Sequence, residues 1–246
     1  MQALQRTAFS GPALVRLLAR VSASDVHEST QSLFERLSEW LSWTDAIALS
    51  NALDGAPPAT GSRAGSVVHA EEEMCAEVRA SLARAIAEDG VFALLGRRGP
   101  ARLQSAPAPA PEVIEYGVIR QHYVSTQHLM EARIADLRDR LRRRLAAYST
   151  PAARMAALDV TMERALGERA RTLFGAVPTL LEGHFKRLQR AEHEAQSNAH
   201  DSSVEANAAQ DAWLDVFRKD MQSALLAELA IRFQPVEGLL AALRTR

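Results

Sequence analysis

The chain has 246 residues, of which 47% are hydrophobic and 24% charged, with a formal net charge of −1. That is enough apolar material for a packed core, while the near-neutral balance weighs against a dedicated nucleic-acid binder. One cysteine, Cys75, excludes a disulfide framework, and no uncharged apolar run approaches the roughly 20 residues that span a bilayer.

In chain order, Ser10-Gly11-Pro12 reads as a helix start, with Leu14, Leu17, Leu18 and Val21 on one face and Arg16 and Arg20 on the other. The charges interrupting this stretch argue against a secretory signal, and a cytoplasmic location is expected. A second helix is predicted from about Thr30 to Trp43, with Leu33, Phe34, Leu37, Trp40 and Leu41 as its stripe. A third runs from Asp45 to Leu53, with Thr44 as its cap. Residues 54–68, rich in Gly, Pro, Ala and Ser, read as a linker. From His69 the pattern is helical again, with Glu71, Glu72 and Glu73 in a first turn where the helix dipole favours carboxylates. Cys75 falls on its apolar side with Val78 and Leu82 and reads as core filling. The alternating Ala106-Pro107-Ala108-Pro109-Ala110-Pro111 ends an extended spacer.

The chain is organised around a long helical hairpin. Tyr116, Ile119, Tyr123, Thr126, Met130, Ile134, Leu137, Leu141, Leu145 and Tyr148 recur about every 3.6 residues, the helix period. An arm of about 37 residues would be roughly 55 Å long. Its stripe is narrow, like a coiled-coil seam. Ser149 or Thr150 can cap a new helix with Pro151 in its first turn. The second arm carries Met155, Leu158, Met162, Leu166, Leu173, Val177, Leu181, His184 and Leu188, with a kink or break expected at 174–178 because Pro178 lacks a backbone donor. After a polar stretch, Trp213 to Phe233 forms the densest apolar segment; Gln234-Pro235 should end it, before a last helix with Leu239, Leu240 and Leu243.

These elements predict an all-α, elongated helical bundle. Residues 1–53 would supply the N-terminal helices of a head, 54–68 a flexible linker, 69–95 a helix and 96–111 an Ala/Pro-rich linker. The antiparallel hairpin would occupy 112–196, a loop 197–208, and C-terminal helices 209–246 would pack with the head. Trp40, Trp43, Trp213, Phe217 and Phe233 are the expected structural anchors, because aromatic burial would dominate the energetics of that head.

No catalytic, metal or cofactor constellation emerges. Seven histidines occur, but no His-x-x-x-His or Glu-x-x-His pair is present, so neither a zincin helix nor a ferritin-like di-iron site is supported. Gly61 and Gly65 lack a following Gly-Lys-Ser/Thr, and there is no Gly-x-Ser-x-Gly elbow. The sharpest charged feature is Arg138, Arg140, Arg142, Arg143 and Arg144 near the hairpin tip. Interleaved Asp136 and Asp139, the helix C-terminus, and Glu163 and Glu168 on the other arm favour a solvated, salt-bridged tip; the alternative is a contact for DNA, RNA or another polyanion. Glu228, within an apolar stretch, is explained by an i,i+4 pair with Arg232. The resulting expectation is a non-enzymatic interaction protein that uses helical seams for self-association or a partner helix.

Three stretches carry a family resemblance: Arg6–Arg20 (RTAFSGPALVRLLAR), Trp40–Ile47 (WLSWTDAI), and WLDVFRKDMQ from Trp213 with RFQPVEGLLAAL from Arg232 to Leu243. Over nearly its full length the chain resembles a bacterial family of all-helical proteins of unknown function. The resemblance implies no activity or cofactor. Genes of that family can neighbour those for stator-like proton channels and peptidoglycan-binding envelope proteins, which implies a cytoplasmic accessory of a cell-envelope complex.

Overall fold

The computed structural model describes residues 12–22, 31–55, 64–88, 115–198 and 205–244. Among them the secondary structure is α-helical, with no strand. The helices are α1 (Ala13–Ser22), α2 (Leu33–Trp40), α3 (Trp43–Asp54), α4 (Ala64–Ala87), α5 (Tyr116–Ala146), α6 (Thr150–Gly175), α7 (Val177–Asn198) and α8 (Glu205–Arg244). Of the expected linker at 54–68, residues 56–63 lie outside the described residues, but 64–68 already belong to α4, which starts five residues before the expected His69. The expected spacer at 96–111 lies outside the described residues, and of the expected loop at 197–208 residues 199–204 lie outside while 197–198 and 205–208 are helical.

Helix ends follow local chemistry. Ser32 caps α2 and Ser42 caps α3, each in a capping box completed by Glu35 and Asp45. The start of α3 therefore differs from the expected Thr44 cap: the Ser-x-x-Asp pattern at 42–45 places the helix two residues earlier. The Ser149 hydroxyl accepts from the Ala152 amide at 3.3 Å and opens α6, with Pro151 in the first turn, where a missing N–H has no partner to lose. The interruption expected around Pro178 is a single-residue break at Ala176 between α6 and α7.

The chain divides into two compact units. The first comprises Met1–Val26, Arg84–Gln127 and Ala176–Ala227; the second comprises His27–Ala83, His128–Gly175 and Glu228–Arg246. In the first, α1 packs on α7 and buries Leu14 and Val21. The centre of this unit is aromatic. Phe185 stands edge-on to Trp213 and Phe217, both at 5.2 Å, and Tyr116 lies 5.5 Å from Phe185. The Tyr116 hydroxyl donates to the Pro178 carbonyl at 2.5 Å, covering an acceptor beside the α6–α7 break, and burial raises the Tyr116 pKa. Gln222 donates to the Ile86 and Ala87 carbonyls at the C-terminal end of α4, supplying partners that a helix end lacks.

In the second unit α5 is the spine. Met130, Ile134, Leu137, Leu141 and Leu145 are buried there, and Tyr116, Ile119, Tyr123 and Thr126 are buried in the first unit, so the predicted seam is inside from Tyr116 to Leu145. Each fully buried aliphatic side chain contributes about 1.5–3 kcal/mol of transfer free energy. On the second arm Val177 and Leu181 are buried as the stripe predicts, but the α6 part differs from expectation. Its buried face in α6 is Ala152, Ala153, Ala156 and Thr161, small residues that let a neighbouring backbone come close. Leu158, Met162 and Leu166 are only half-buried, and Met155 and Leu173 are exposed. The α3 helix lies on α6, with Arg154 donating to the Gly55 carbonyl at 2.7 Å and Arg169 stacked 4.8 Å from the Trp40 ring.

Helix α8 does not stop at Gln234-Pro235; it runs through Pro235 to Arg244. A proline inside a helix costs about 3 kcal/mol. Here Phe233, Val236, Leu239, Leu240 and Leu243 are all buried, and their packing exceeds that cost. The three tryptophans expected as anchors have different surroundings. Trp213 belongs to the first unit, Trp40 and Trp43 to the second, and Trp43 is 80% exposed. The buried aromatic anchors are Phe217 and Phe233.

Candidate functional site

The arginine run lies at the end of α5, and alternate residues project to different neighbours. Arg138 and Arg142 face α6. Arg138 makes a two-point contact with Asp159, at 3.2 and 2.8 Å, and meets Glu163 at 2.6 Å; Arg142 shares both carboxylates and also reaches Asp139 at 3.0 Å. Both guanidiniums are largely covered. Arg140 and Arg144 instead face α4, at 2.6 and 2.9 Å from Glu71. Arg143 is exposed and makes no ion pair among the described residues.

Glu71 is the pivot, because its residue is 1% exposed. Burial alone would push its carboxyl pKa up, but hydrogen bonds from Arg140 and Arg144 hold it below the usual value. Cys75, one turn further along α4, is buried, and burial together with the nearby Glu71 charge raises its thiol to about 11. A thiol held protonated in this way is a poor nucleophile. Glu228 is likewise wholly buried; Arg232 meets it at 2.7 Å, as the i,i+4 spacing predicts, and lies 4.1 Å over the Phe174 ring.

These networks account for the arginine run. A polyanion would have to displace Asp159, Glu163 and Glu71 from four of its five members, and a buried carboxylate stripped of its partners costs several kcal/mol. Glu163 pairs as the sequence suggests. Asp159 and Glu71 were missed because their proximity depends on which faces of α6 and α4 turn inward. Among the described residues the Glu168 carboxylate has no ion pair with the run; its backbone carbonyl accepts from the Thr172 hydroxyl at 3.0 Å.

The first unit has its own charged group. Asp220 receives Arg20 at 2.8 Å and His184 at 2.9 Å, and the Arg187 guanidinium donates to the Val21 carbonyl. These bonds hold α1 on α7 and α8. Among the described residues no group of three or more His, Cys, Asp or Glu side chains could hold a metal ion, and no helix is long and apolar enough to cross a membrane.

What remains chemically unaccounted for is α3. It contains no buried residue. Asp45, Ala48, Leu49 and Ala52, at helical spacing, are the half-buried side. The opposite side presents Trp43 (80% exposed), Ile47 (46%) and Leu53 (54%), with Ala46, Ser50 and Asp54 beside them. Solitary exposed apolar residues are ordinary, but three large ones on one short helix face form a patch. The sequence signal was available in the run Trp-x-x-Ala-Ile-x-x-Ser-x-x-Leu. Trp43 is among the expected anchors, but its position on a helix does not say which face meets a neighbour; among the described residues α3 packs on α6 by its other side.

A family model described as a protein of unknown function (DUF3348) matches residues 1–245. Neither the curated proteins nor the solved structures contain a match to the chain.

Proposed function

The chain belongs to the family of proteins of unknown function DUF3348, and from that premise we propose that it is a non-enzymatic helical interaction protein whose contact surface is the outer face of α3. The observation that carries this reading is the exposure of Trp43 together with Ile47 and Leu53 on a helix whose other side is already packed. Tryptophan is the residue type most enriched at binding hot spots, and an amphipathic helix seated against such a face is a common mode of recognition. The charged groups at the end of α5 and around Asp220 are engaged in holding helices together, and they support a scaffold more than a reaction centre. The gene-neighbourhood resemblance suggests a setting for this role as a cytoplasmic accessory of a cell-envelope complex.

The test is light scattering after size exclusion, combined with affinity capture from the native host, on the natural chain and on Trp43→Ser. The expected result is an associated species, whether self-associated or with a retained protein, that Trp43→Ser loses while keeping the helical circular-dichroism signal. A strict monomer that retains nothing, or an association indifferent to Trp43→Ser, would overturn the reading.

A further inference from the structure

We infer that α2 and α3 form a strap that lifts from α6 as one piece while the rest of the second unit stays folded, and that the closed strap occludes the Leu158–Met162 part of the α6 stripe. The inference concerns the inner side of α3 and goes beyond the reading of its outer side as a contact surface. How the strap is attached is the first argument. Arg154 donates to the Gly55 carbonyl just past the end of α3, and Arg169 lies over the Trp40 ring at the end of α2. These two contacts set α3 antiparallel to α6 and pin its ends. Leu158 and Met162 follow Arg154 at i+4 and i+8, and Arg169 follows at i+15, so the four share one helix face. The two apolar residues therefore lie beneath the span of α3, and both are half-buried. Between the pins α3 offers Asp45, Ala48, Leu49 and Ala52, and it buries no residue fully. In the same unit α5 buries Met130, Ile134, Leu137, Leu141 and Leu145. Segments with few buried apolar contacts open at a lower free-energy cost than the core.

The second argument is what each side keeps when the two part. The capping boxes Ser32–Glu35 and Ser42–Asp45 lie within the strap, so both helix starts stay satisfied when it lifts. Leu41 and Ser42 alone join α2 to α3, which couples their movement. On the other side α6 keeps Ala152, Ala153, Ala156 and Thr161 packed inward. Asp159 and Glu163 keep their pairs with Arg138 and Arg142 of α5, so α6 is anchored without the strap. Once uncovered, Leu158 and Met162 join the exposed Met155 and Leu173 in one apolar stripe, and the closed strap is an autoinhibitory cover over it.

Peroxide oxidation of the full chain, mapped by mass spectrometry, reads the strap at single side chains, because a thioether is oxidised where the oxidant reaches it. Met155 is exposed, Met162 is half-buried beneath α3, and Met130 is buried in the same unit. The expected order of rates in the natural chain is Met155, Met162, Met130. Arg154→Ala/Arg169→Ala removes both pins and is expected to speed Met162 by about fivefold, the scale of two weak surface contacts, while Met130 keeps its rate. Deuterium exchange on the same two chains should accelerate by a common factor in α2 and α3 and not in α5. Three results overturn the inference: a Met162 rate indifferent to the double substitution, Met162 and Met130 accelerating together as in global unfolding, or exchange that rises in α3 without α2. Association that depends on Trp43 is a separate readout, so failure of the contact-surface reading leaves these rates where they are.

Discussion

At the scale of single residues, the decisive feature is a carboxylate placed where apolar packing would be the default. Glu71 is buried between Arg140 and Arg144, and the partners differ in what they lose when the contact breaks. The two arginines are more than a third exposed and can return to water; Glu71 cannot. Replacing both, as Arg140→Ala/Arg144→Ala, is therefore expected to cost about 3–5 kcal/mol in urea denaturation, as for a buried charge stripped of its partners. Glu71→Leu, which removes the charge itself, is expected to cost less than about 1 kcal/mol. The same pair sets a pH dependence. The folded carboxyl of Glu71 lies below its unfolded value, so it stabilises the fold fully above about pH 4.3, the unfolded value, and the contribution fades as pH falls through the lower folded value. The stability difference between the natural chain and Glu71→Gln should shrink below that pH, and a difference that grows on acidification would refute the assignment.

At the scale of elements, the two arms of the hairpin show what periodicity can and cannot convey. On α5 the predicted stripe is the buried stripe from Tyr116 to Leu145; only Tyr148, in the turn beyond the helix, is half-buried. On α6 the same spacing marks Met155, Leu158, Met162, Leu166 and Leu173, yet the alanine side packs inward. Two apolar faces competed there, and the smaller residues won because they permit a closer helix–helix approach, while α3 covers the larger ones in part. Thermal or urea unfolding of paired truncations makes the distinction measurable. Leu141→Ala should cost about 2–5 kcal/mol, the range for large-to-small changes in a packed core. Leu173→Ala, at a residue 62% exposed, should stay within about 0.5 kcal/mol of the natural chain. Equal costs would mean that α6 buries its leucine side after all. The run of α8 through Pro235 shows the same precedence of packing over local preference.

At the scale of the whole molecule, charge balance and pairing lead to one expectation. The net charge is −1, and four of the five arginines in the run are engaged with carboxylates. The chain is therefore expected to show no salt-dependent binding of duplex DNA or RNA in a low-salt fluorescence-anisotropy titration. Binding that falls in an Arg140→Ala/Arg142→Ala/Arg143→Ala/Arg144→Ala chain would reverse the order of the two functional readings. The amino-acid sequence by itself determined the helical class, the long α5 seam, the break near Pro178 and the Glu228–Arg232 pair. Each of these follows from spacing within one helix or from the backbone chemistry of one residue. Only the tertiary structure decided that Trp43 faces outward, that α6 packs by its alanines, that α8 continues through Pro235, and that Glu71 receives Arg140 and Arg144. Those outcomes depend on which of several acceptable faces meets a neighbour, and that choice is made by contacts between residues as far as 172 positions apart, beyond the reach of any local pattern.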